Sequence, residues 1–492
     1  MSDPTSDPAE TAVVEPGAES TYDGTDETTL LDRVQAPGGE GREILDAATR
    51  EVIGRAPVHT VADLNDAIAR AKAAQPGWER LGHQQRSAAL ELAADAVDAN
   101  AEALARLLSR EQGKPLNGPN ARFEIGACSA WLRTAAATTL DPEVVVDDGE
   151  THAELIYRAV GVVGAIGPWN WPLMIGIWQI APALRMGNAI VIKPSEHTPL
   201  SVLALLSVMN QVLPPDVLTG VSGDREGGAR LASHPDVDKI MFTGSTATGR
   251  KIIEASAENL ARLTLELGGN DAGIVLPGTD PKAIAQDLFW GAFINTGQTC
   301  AALKRLYVHD SVYDQVVSEL ALVAEQSPMG NGLDENNVLG PLQNPQQFDV
   351  VSRLVEDAKA NGGRIVTGGA PASDLGELFY PITIVADVVD GVALVDEEQF
   401  GPALPIIRYS DVEDAIASAN RLDLGLGASV WSSDRDEARK VAARIEAGTV
   451  WINSHGGVHP MIPFGGVKAS GYGLEFGVEG LKAVAVPQVI NG

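Results

Sequence analysis

Two residues near the middle of the chain have side chains that make and break acyl bonds. Glu266 precedes a glycine pair in Leu265-Glu266-Leu267-Gly268-Gly269-Asn270, and Cys300 closes the polar loop Asn295-Thr296-Gly297-Gln298-Thr299-Cys300. Cysteine attacks carbonyl carbon as its thiolate, and at an ordinary pKa of about 8.5 only a few per cent is ionised at neutral pH. A site built on Cys300 therefore needs a neighbour that lowers this value. It also needs a second group to handle water once an acyl–sulfur bond exists, and a carboxylate such as Glu266 suits that task. In isolation each signal is weak, since a lone cysteine is more often packing and a lone glutamate more often solvated surface.

Four further clusters raise their meaning. Pro168-Trp169-Asn170-Trp171-Pro172 brackets an amide with two indoles, and an uncharged donor such as Asn170 can hold an oxyanion without protonating a thiolate. Its bland alternative is an asparagine-capped turn. Phe242-Thr243-Gly244-Ser245-Thr246 ends a strand just before a helix, where free N–H groups, a close backbone approach at Gly244 and the Ser245 hydroxyl suit a pyrophosphate. It is not the GxGxxG fingerprint, and an ordinary capped helix start reads the same way. Lys193 and Glu196, in Ile192-Lys193-Pro194-Ser195-Glu196, leave a strand end where they could hold ribose hydroxyls; Glu398 and Phe400 offer a carboxylate and a ring for a second ribose and a nicotinamide face.

The elements that must position these groups follow from periodicity. Residues 1–29 form an acidic stretch without lysine or arginine until its end, expected to be disordered, with order starting near Leu30. Thr60 reads as the N-cap of a helix from Val61; helices follow over Gln84–Ala99 and Ala101–Arg110, the last stopped by Gly113-Lys114-Pro115. Glu143–Val146 and Ala153–Arg158 read as a protruding hairpin. Short apolar runs at Gly161–Ile166, Ala189–Ile192, Val217–Val221 and Lys239–Phe242 then alternate with helices, the pattern of a doubly wound parallel sheet that binds a dinucleotide beyond its strand ends. A second α/β series starts at Asp271–Leu276, with helices expected at Pro281–Thr296 and Tyr313–Gln326 and strands near Ile365, Pro405 and Val450. The tail Leu481–Pro487 reads as an edge strand able to extend a neighbour's sheet.

Composition sets outer bounds. With 492 residues, 45% hydrophobic and 21% charged, the chain can fill two or three cores. A net charge of −30 argues against nucleic-acid partners, which demand basic patches, and the acid excess with scarce lysine points to salt tolerance. Two cysteines, Cys128 and Cys300, build no disulfide framework and fit a reducing cytoplasm. His455 and His459 stand four apart but in a Gly/Pro loop, so no metal site is expected. The uncharged run Ala159–Leu184 is broken by prolines, glycines and amides and reads as buried strand and helix, leaving no membrane span.

Together the motifs resemble one family, the aldehyde dehydrogenases. The resemblance rests on Gly113-Lys114-Pro115, Pro168-Trp169-Asn170-Trp171-Pro172-Leu173, Lys193-Pro194-Ser195-Glu196, Phe242-Thr243-Gly244-Ser245-Thr246, Leu265–Gly269, Gly297-Gln298-Thr299-Cys300, Glu397–Pro402, Gly448–Asn453 and Pro463–Gly471, in that order. It implies an α/β fold with a cofactor domain of residues 30–140 and 160–267, a catalytic domain of 268–470, and a small β oligomerisation element from 141–159 and 478–492, in homodimers or homotetramers. It implies Cys300 as nucleophile, Asn170 with the Cys300 N–H as oxyanion hole, and Glu266 activating water, so that an aldehyde becomes a free acid. Around the cofactor it puts Ile166, Pro168, Trp169, Lys193, Ser195, Glu196, Phe242, Gly244, Ser245, Leu267, Gly268, Glu398 and Phe400. Glu196 favours NAD+ by repelling a 2′-phosphate, while the Lys-Pro-Ser-Glu form leaves NADP+ open. The substrate pocket would be Trp171, Trp178, Ile294, Thr299, Ala301, Val458 and Phe464. None of these is cationic, which favours a neutral aliphatic or aromatic aldehyde over a semialdehyde with a second carboxylate. Gln179 stands where many members carry a lysine, which puts a lysine-assisted proton relay from Glu266 in doubt, whereas Asn270 in place of the more usual lysine after Gly-Gly is expected to be harmless. Two alternatives stay open: a CoA-acylating enzyme, disfavoured by Glu266, and a catalytically silent structural member.

Overall fold

The expected apolar runs pair into two sheets, each covered by helices on both faces. In a computed structural model that describes residues 24–492, the first sheet contains the strands Val162–Ile166, Ala189–Lys193, Leu218–Gly220, Lys239–Thr243 and Arg262–Glu266. All five are parallel and stand in the order third, second, first, fourth, fifth; the short strand Gly471–Tyr472 joins antiparallel beside Glu266. This is the doubly wound order, in which the crevice between first and fourth strands receives a ligand. The physical cause is visible in the alternation. Val162, Ala189, Val191 and Ile240 bury against the helices Val61–Arg80, Arg225–Ser233 and Thr246–Ser256. Val163, Ala165, Ile190, Ile192 and Met241 bury on the opposite side with the helices Pro172–Arg185 and Pro199–Met209. Both faces are apolar because both are covered.

The second sheet is seven-stranded, in the order Arg364–Thr367, Thr383–Val388, Ala403–Tyr409, Leu303–His309, Asp271–Val275, Gly427–Trp431 and Thr449–Ile452. Only the Arg364–Thr367 edge strand is antiparallel to its neighbour. Alternate residues again divide: Ala272, Ile274 and Tyr307 face the helices Pro345–Ala360 and Val412–Asn420, whereas Val275, Leu306 and Val308 face Pro281–Phe293 and Tyr313–Glu325. The chain passes from the first sheet to the second through the four residues Leu267-Gly268-Gly269-Asn270, between the strand end at Glu266 and the next strand start at Asp271, and returns with Gly471–Tyr472.

Several expectations needed correction. Residues 1–23 lie outside the described part, and the helix Glu27–Val34, capped by the Asp26 carboxylate on Thr29 N–H, begins before the expected onset of order at Leu30. Its apolar face is short, so Leu30 alone is fully buried and the pattern was faint. The Thr60 cap is present as a full capping box with Asp63, an arrangement worth about 1 kcal/mol. The helix expected to run to Thr296 stops at Phe293, because Asn295 and Thr296 turn left-handed at φ 51° and 56°. The tail from Leu481 is not all strand: Gly477–Ala483 is helical, and the strand Ala485–Asn491 pairs with His152–Ala159 of its own chain in a three-stranded antiparallel sheet with Glu143–Asp147.

Candidate active site

Parallel register carries the sequence-predicted groups to one edge. Ile166 stands beside Lys193 on one side and Phe242 on the other, and Thr243 stands beside Glu266. Lys193, Ile166 and Phe242 thus lie along a single line at the strand ends, with Glu266 one residue further along. The next residues, Gly244 and Ser245, start the helix Thr246–Ser256, which Ser245 caps by accepting from Thr248 N–H. A Cβ on Gly244 would lie 2.6 Å from the Phe242 ring, so a side chain here would push that ring aside. Glu196 pairs with Arg42 at 3.5 Å, at one wall of a cavity of about 440 Å³ that Arg50 and His197 also line. Ser195 is turned to its own loop, accepting from His197 N–H, and burial holds the Lys193 ammonium below its ordinary range.

The loop that ends at Cys300 comes in from the second sheet. Three successive residues, Asn295, Thr296 and Gly297, are left-handed, a conformation that costs a β-branched residue such as Thr296 about 1–3 kcal/mol. The structure holds it there by hydrogen bonds: Thr296 Oγ1 donates to Gly340 O and accepts from Gly340 N–H at 3.0 Å, and Asn295 Nδ2 donates to Asn170 O at 2.9 Å. Asn170 in turn donates from Nδ2 to Gln298 O at 3.0 Å, and Trp171 Nε1 donates to Thr299 Oγ1 at 2.8 Å. The tryptophan–asparagine turn and the cysteine loop are therefore one hydrogen-bonded unit. The glycine pair completes it: a Cβ on Gly269 would fall 2.9 Å from Cys300 O, and one on Gly268 would fall 2.5 Å from Glu398 Oε2.

Electrostatics at the centre run against the expectation from sequence. Cys300 is half-buried, and desolvation pushes its thiol up to about 12; Lys304 opposes this, while Glu266, Glu398 and Asp271 add to it. Burial also holds the Glu266 carboxyl well above the usual range, reinforced by the charge of Glu475, and Glu266 Oε1 has no hydrogen-bond partner. Glu475 is itself raised to about 8 by burial, against the pull of Lys239.

The expected pocket residues share one apolar cluster: Trp171, Trp178, Ala301 and Phe464 are buried in it, with Ile294, Val458 and Cys300 packed against it. Thr299 joins through the Trp171 indole. Phe400 meets Trp169 edge-to-face at 5.4 Å between centroids, and Glu398 accepts from Gly269 N–H.

A comparison with known families agrees with this arrangement: the model described as "Aldehyde dehydrogenase family" matches residues 34–490. The chain belongs to that family. The geranial dehydrogenase of Castellaniella defragrans is 40% identical over 448 residues, covering 89% of this chain and 93% of that protein. The phenylacetaldehyde dehydrogenase of Pseudomonas fluorescens is 37% identical over 462 residues, covering 91% and 92%. Among solved structures, PnpE from Pseudomonas sp. WBC-3 in complex with nicotinamide adenine dinucleotide is 36% identical with a TM-score of 0.89, covering 93% of this chain and 95% of that one.

Several residues of this aldehyde dehydrogenase chain went unnoticed in sequence. Lys304, itself 1% exposed, donates to Thr299 O at 2.9 Å and to Cys300 O, and lies 3.2 Å from Glu398 Oε1. Its signal was a cation inside the apolar strand Leu303–His309. Glu475 had a weaker one, a carboxylate between Leu474 and Phe476. Gln179, already singled out from sequence, donates to Thr243 Oγ1 at 3.3 Å. Among the described residues no cluster of histidine, cysteine and carboxylate side chains could hold a metal ion, and no helix is long and apolar enough to cross a membrane.

Proposed function

We propose that this protein oxidises a neutral aliphatic or aromatic aldehyde to the carboxylic acid, with NAD+ as acceptor, through a thioester on Cys300. The observation that carries the reading is the single hydrogen-bonded unit of Asn170, Gln298 and the Cys300 loop, with Glu266 buried at the adjoining strand end. The strand-end line, the turn at Gly244 and the buried Glu398 fit a dinucleotide: Gly244 and Ser245 would take the pyrophosphate, Lys193 and Glu196 one ribose, Glu398 the other, and Phe400 the nicotinamide ring. When bound, NAD+ supplies the hydride acceptor.

This chain's own groups do the rest. Cys300 sulfur forms a bond to the carbonyl carbon as its proton passes to the Glu266 carboxylate, the acidic group that bears most on that thiol, and from there to solvent, which leaves Glu266 ionised again. Asn170 Nδ2 has a second N–H besides the one given to Gln298, and with the Cys300 backbone N–H it holds the oxyanion. Once the substrate carbon has given up hydride, the acyl group stays on sulfur as a thioester. Glu266 then takes a proton from water, the resulting hydroxide attacks the acyl carbon, and the carbon–sulfur bond breaks to free the acid and Cys300. The absence of a cation among the pocket residues supports an uncharged substrate, as do the names of the geranial and phenylacetaldehyde relatives. Arg42 beside Glu196 offsets the charge that would repel a 2′-phosphate, so NADP+ remains a second acceptor to test.

An absorbance assay with hexanal, benzaldehyde and succinic semialdehyde, each with NAD+ and NADP+, checks these points in one plate. Reduction with hexanal or benzaldehyde is expected, together with an acyl adduct on Cys300 by intact mass and no turnover in Cys300→Ala. Asn170→Ala is expected to lose about 10²–10³ in kcat. A preference for succinic semialdehyde would reverse the substrate assignment, and full kcat in Asn170→Ala would remove the oxyanion role.

A further inference from the structure

Gly113-Lys114-Pro115 does more than end the helix Ala101–Gln112. Lys114 and Glu124 are wholly buried, with Nζ 2.5 Å from Oε2. The other oxygen of Glu124 accepts from Leu173 N–H at 2.9 Å and Met174 N–H at 3.1 Å, in the first turn of the helix Pro172–Arg185. Lys114 Nζ also donates to Asn170 O at 2.8 Å and stands 3.5 Å from the centre of the Trp171 ring. The backbone is therefore gripped on both sides of one peptide turn: at the carbonyl of Asn170 by an ammonium, and at the amides of Leu173 and Met174 by a carboxylate.

A buried ion pair is a poor way to gain stability, since packed apolar residues of similar volume serve as well or better once desolvation is counted. Its contacts here point elsewhere. Every one of them falls on the pair itself or on residues 170–174, the segment that aims the Asn170 carboxamide at the Cys300 loop. We propose that the Lys114–Glu124 pair is a positioning device for Asn170, fixing the backbone from the carbonyl of the oxyanion donor through the turn that follows it and so the direction of its carboxamide. This rests on the reading of Asn170 as that donor. The demand for such a device is geometric: displacing a reacting or stabilising group by about 1 Å can cost 10²-fold in rate.

The test is a mutant cycle on the full-length enzyme with its best aldehyde and NAD+. Lys114→Met with Glu124→Gln removes both charges at similar volume and strands neither. This pair variant is expected to lose about 10²-fold in kcat while KM for NAD+ changes by less than about 3-fold, because only the transition state feels the donor. Combined with Asn170→Ala it is expected to be no worse than Asn170→Ala alone, since residues acting through one another are not additive. Thermal melts and titration of reactive Cys300 confirm that folded, intact sites are compared. A folded pair variant with unchanged kcat overturns the proposal, as does a combined variant in which the two losses multiply. Should the pair variant not fold, Lys114→Met alone, which removes the donor to Asn170 O while Glu124 can become neutral by holding a proton, is put through the same cycle and judged by the same two outcomes. If Asn170→Ala itself keeps full kcat, the oxyanion reading fails, a result distinct from failure of the clamp.

Discussion

Two carboxylates, Glu266 and Glu475, are buried close enough for the charge of one to oppose ionisation of the other, and Lys239 is the cation set against Glu475. Such a pair ionises in two linked steps, the first shared between them. Glu266 can accept a proton from water only as the carboxylate, so its raised value means that hydrolysis of the thioester should speed up as pH rises and fail on the acid side. Removing the like charge lowers the pH at which Glu266 ionises. Glu475→Gln is therefore expected to move the acid limb of the kcat profile to lower pH, read from steady-state rates between about pH 6 and 9; an unmoved or alkaline-shifted limb would contradict it. Gln179, with its Oε1 unpartnered, supplies no charge that could replace this pair.

At the scale of elements, remote side chains close the ends of the helices that flank the site. Glu111, fully buried, accepts from Leu200 N–H at 2.7 Å and Ser201 N–H at 2.9 Å, capping the helix Pro199–Met209 that follows the Lys193–Glu196 loop. Burial pushes its carboxyl up to about 7 despite those bonds. The unfolded carboxyl ionises near pH 4.3, so the folded state holds the proton more tightly. The stability this gives is present at low pH and is lost as pH rises through about 7. The difference in melting temperature between wild type and Glu111→Gln should thus swing toward the variant from about pH 5 to 8; a flat difference would refute the assignment. Helix starts at Val61 and Thr246 were legible from Thr60 and Ser245, because those caps are local, whereas the helix at Pro199 takes its cap from Glu111 on another helix and Thr198 makes no cap bond. The left-handed turn at Asn295–Gly297 was not, since long-range bonds to Gly340 and Asn170 pay for its strain.

For the whole molecule, the three-stranded sheet of Glu143–Asp147, His152–Ala159 and Ala485–Asn491 stands out by its surface. Val144 and Val145 are 52% and 55% exposed and Val489 and Ile490 62% and 52%, an apolar set that a soluble monomer seldom leaves open. Covering by a second copy is the expected cause. Val489→Asp with Ile490→Asp should shift the particle toward a monomer in light scattering, with the melting behaviour of the two large sheets kept; an unchanged mass would place the subunit contact elsewhere.

The sequence alone determined the α/β class and the strand–helix alternation, and it singled out Cys300, Asn170 and Glu266 as the candidates for nucleophile, oxyanion donor and base, because apolar periodicity and short motifs are local properties of a chain. Tertiary structure decided which distant charges surround them. Lys304 and Glu398 against the Cys300 loop, Glu475 against Glu266, Arg42 against Glu196 and Lys114 with Glu124 beneath Asn170 are each brought in from elsewhere in the chain or out of an apolar strand. Desolvation is likewise a property of the packed interior, and so the thiol that sequence chemistry wanted lowered is found raised.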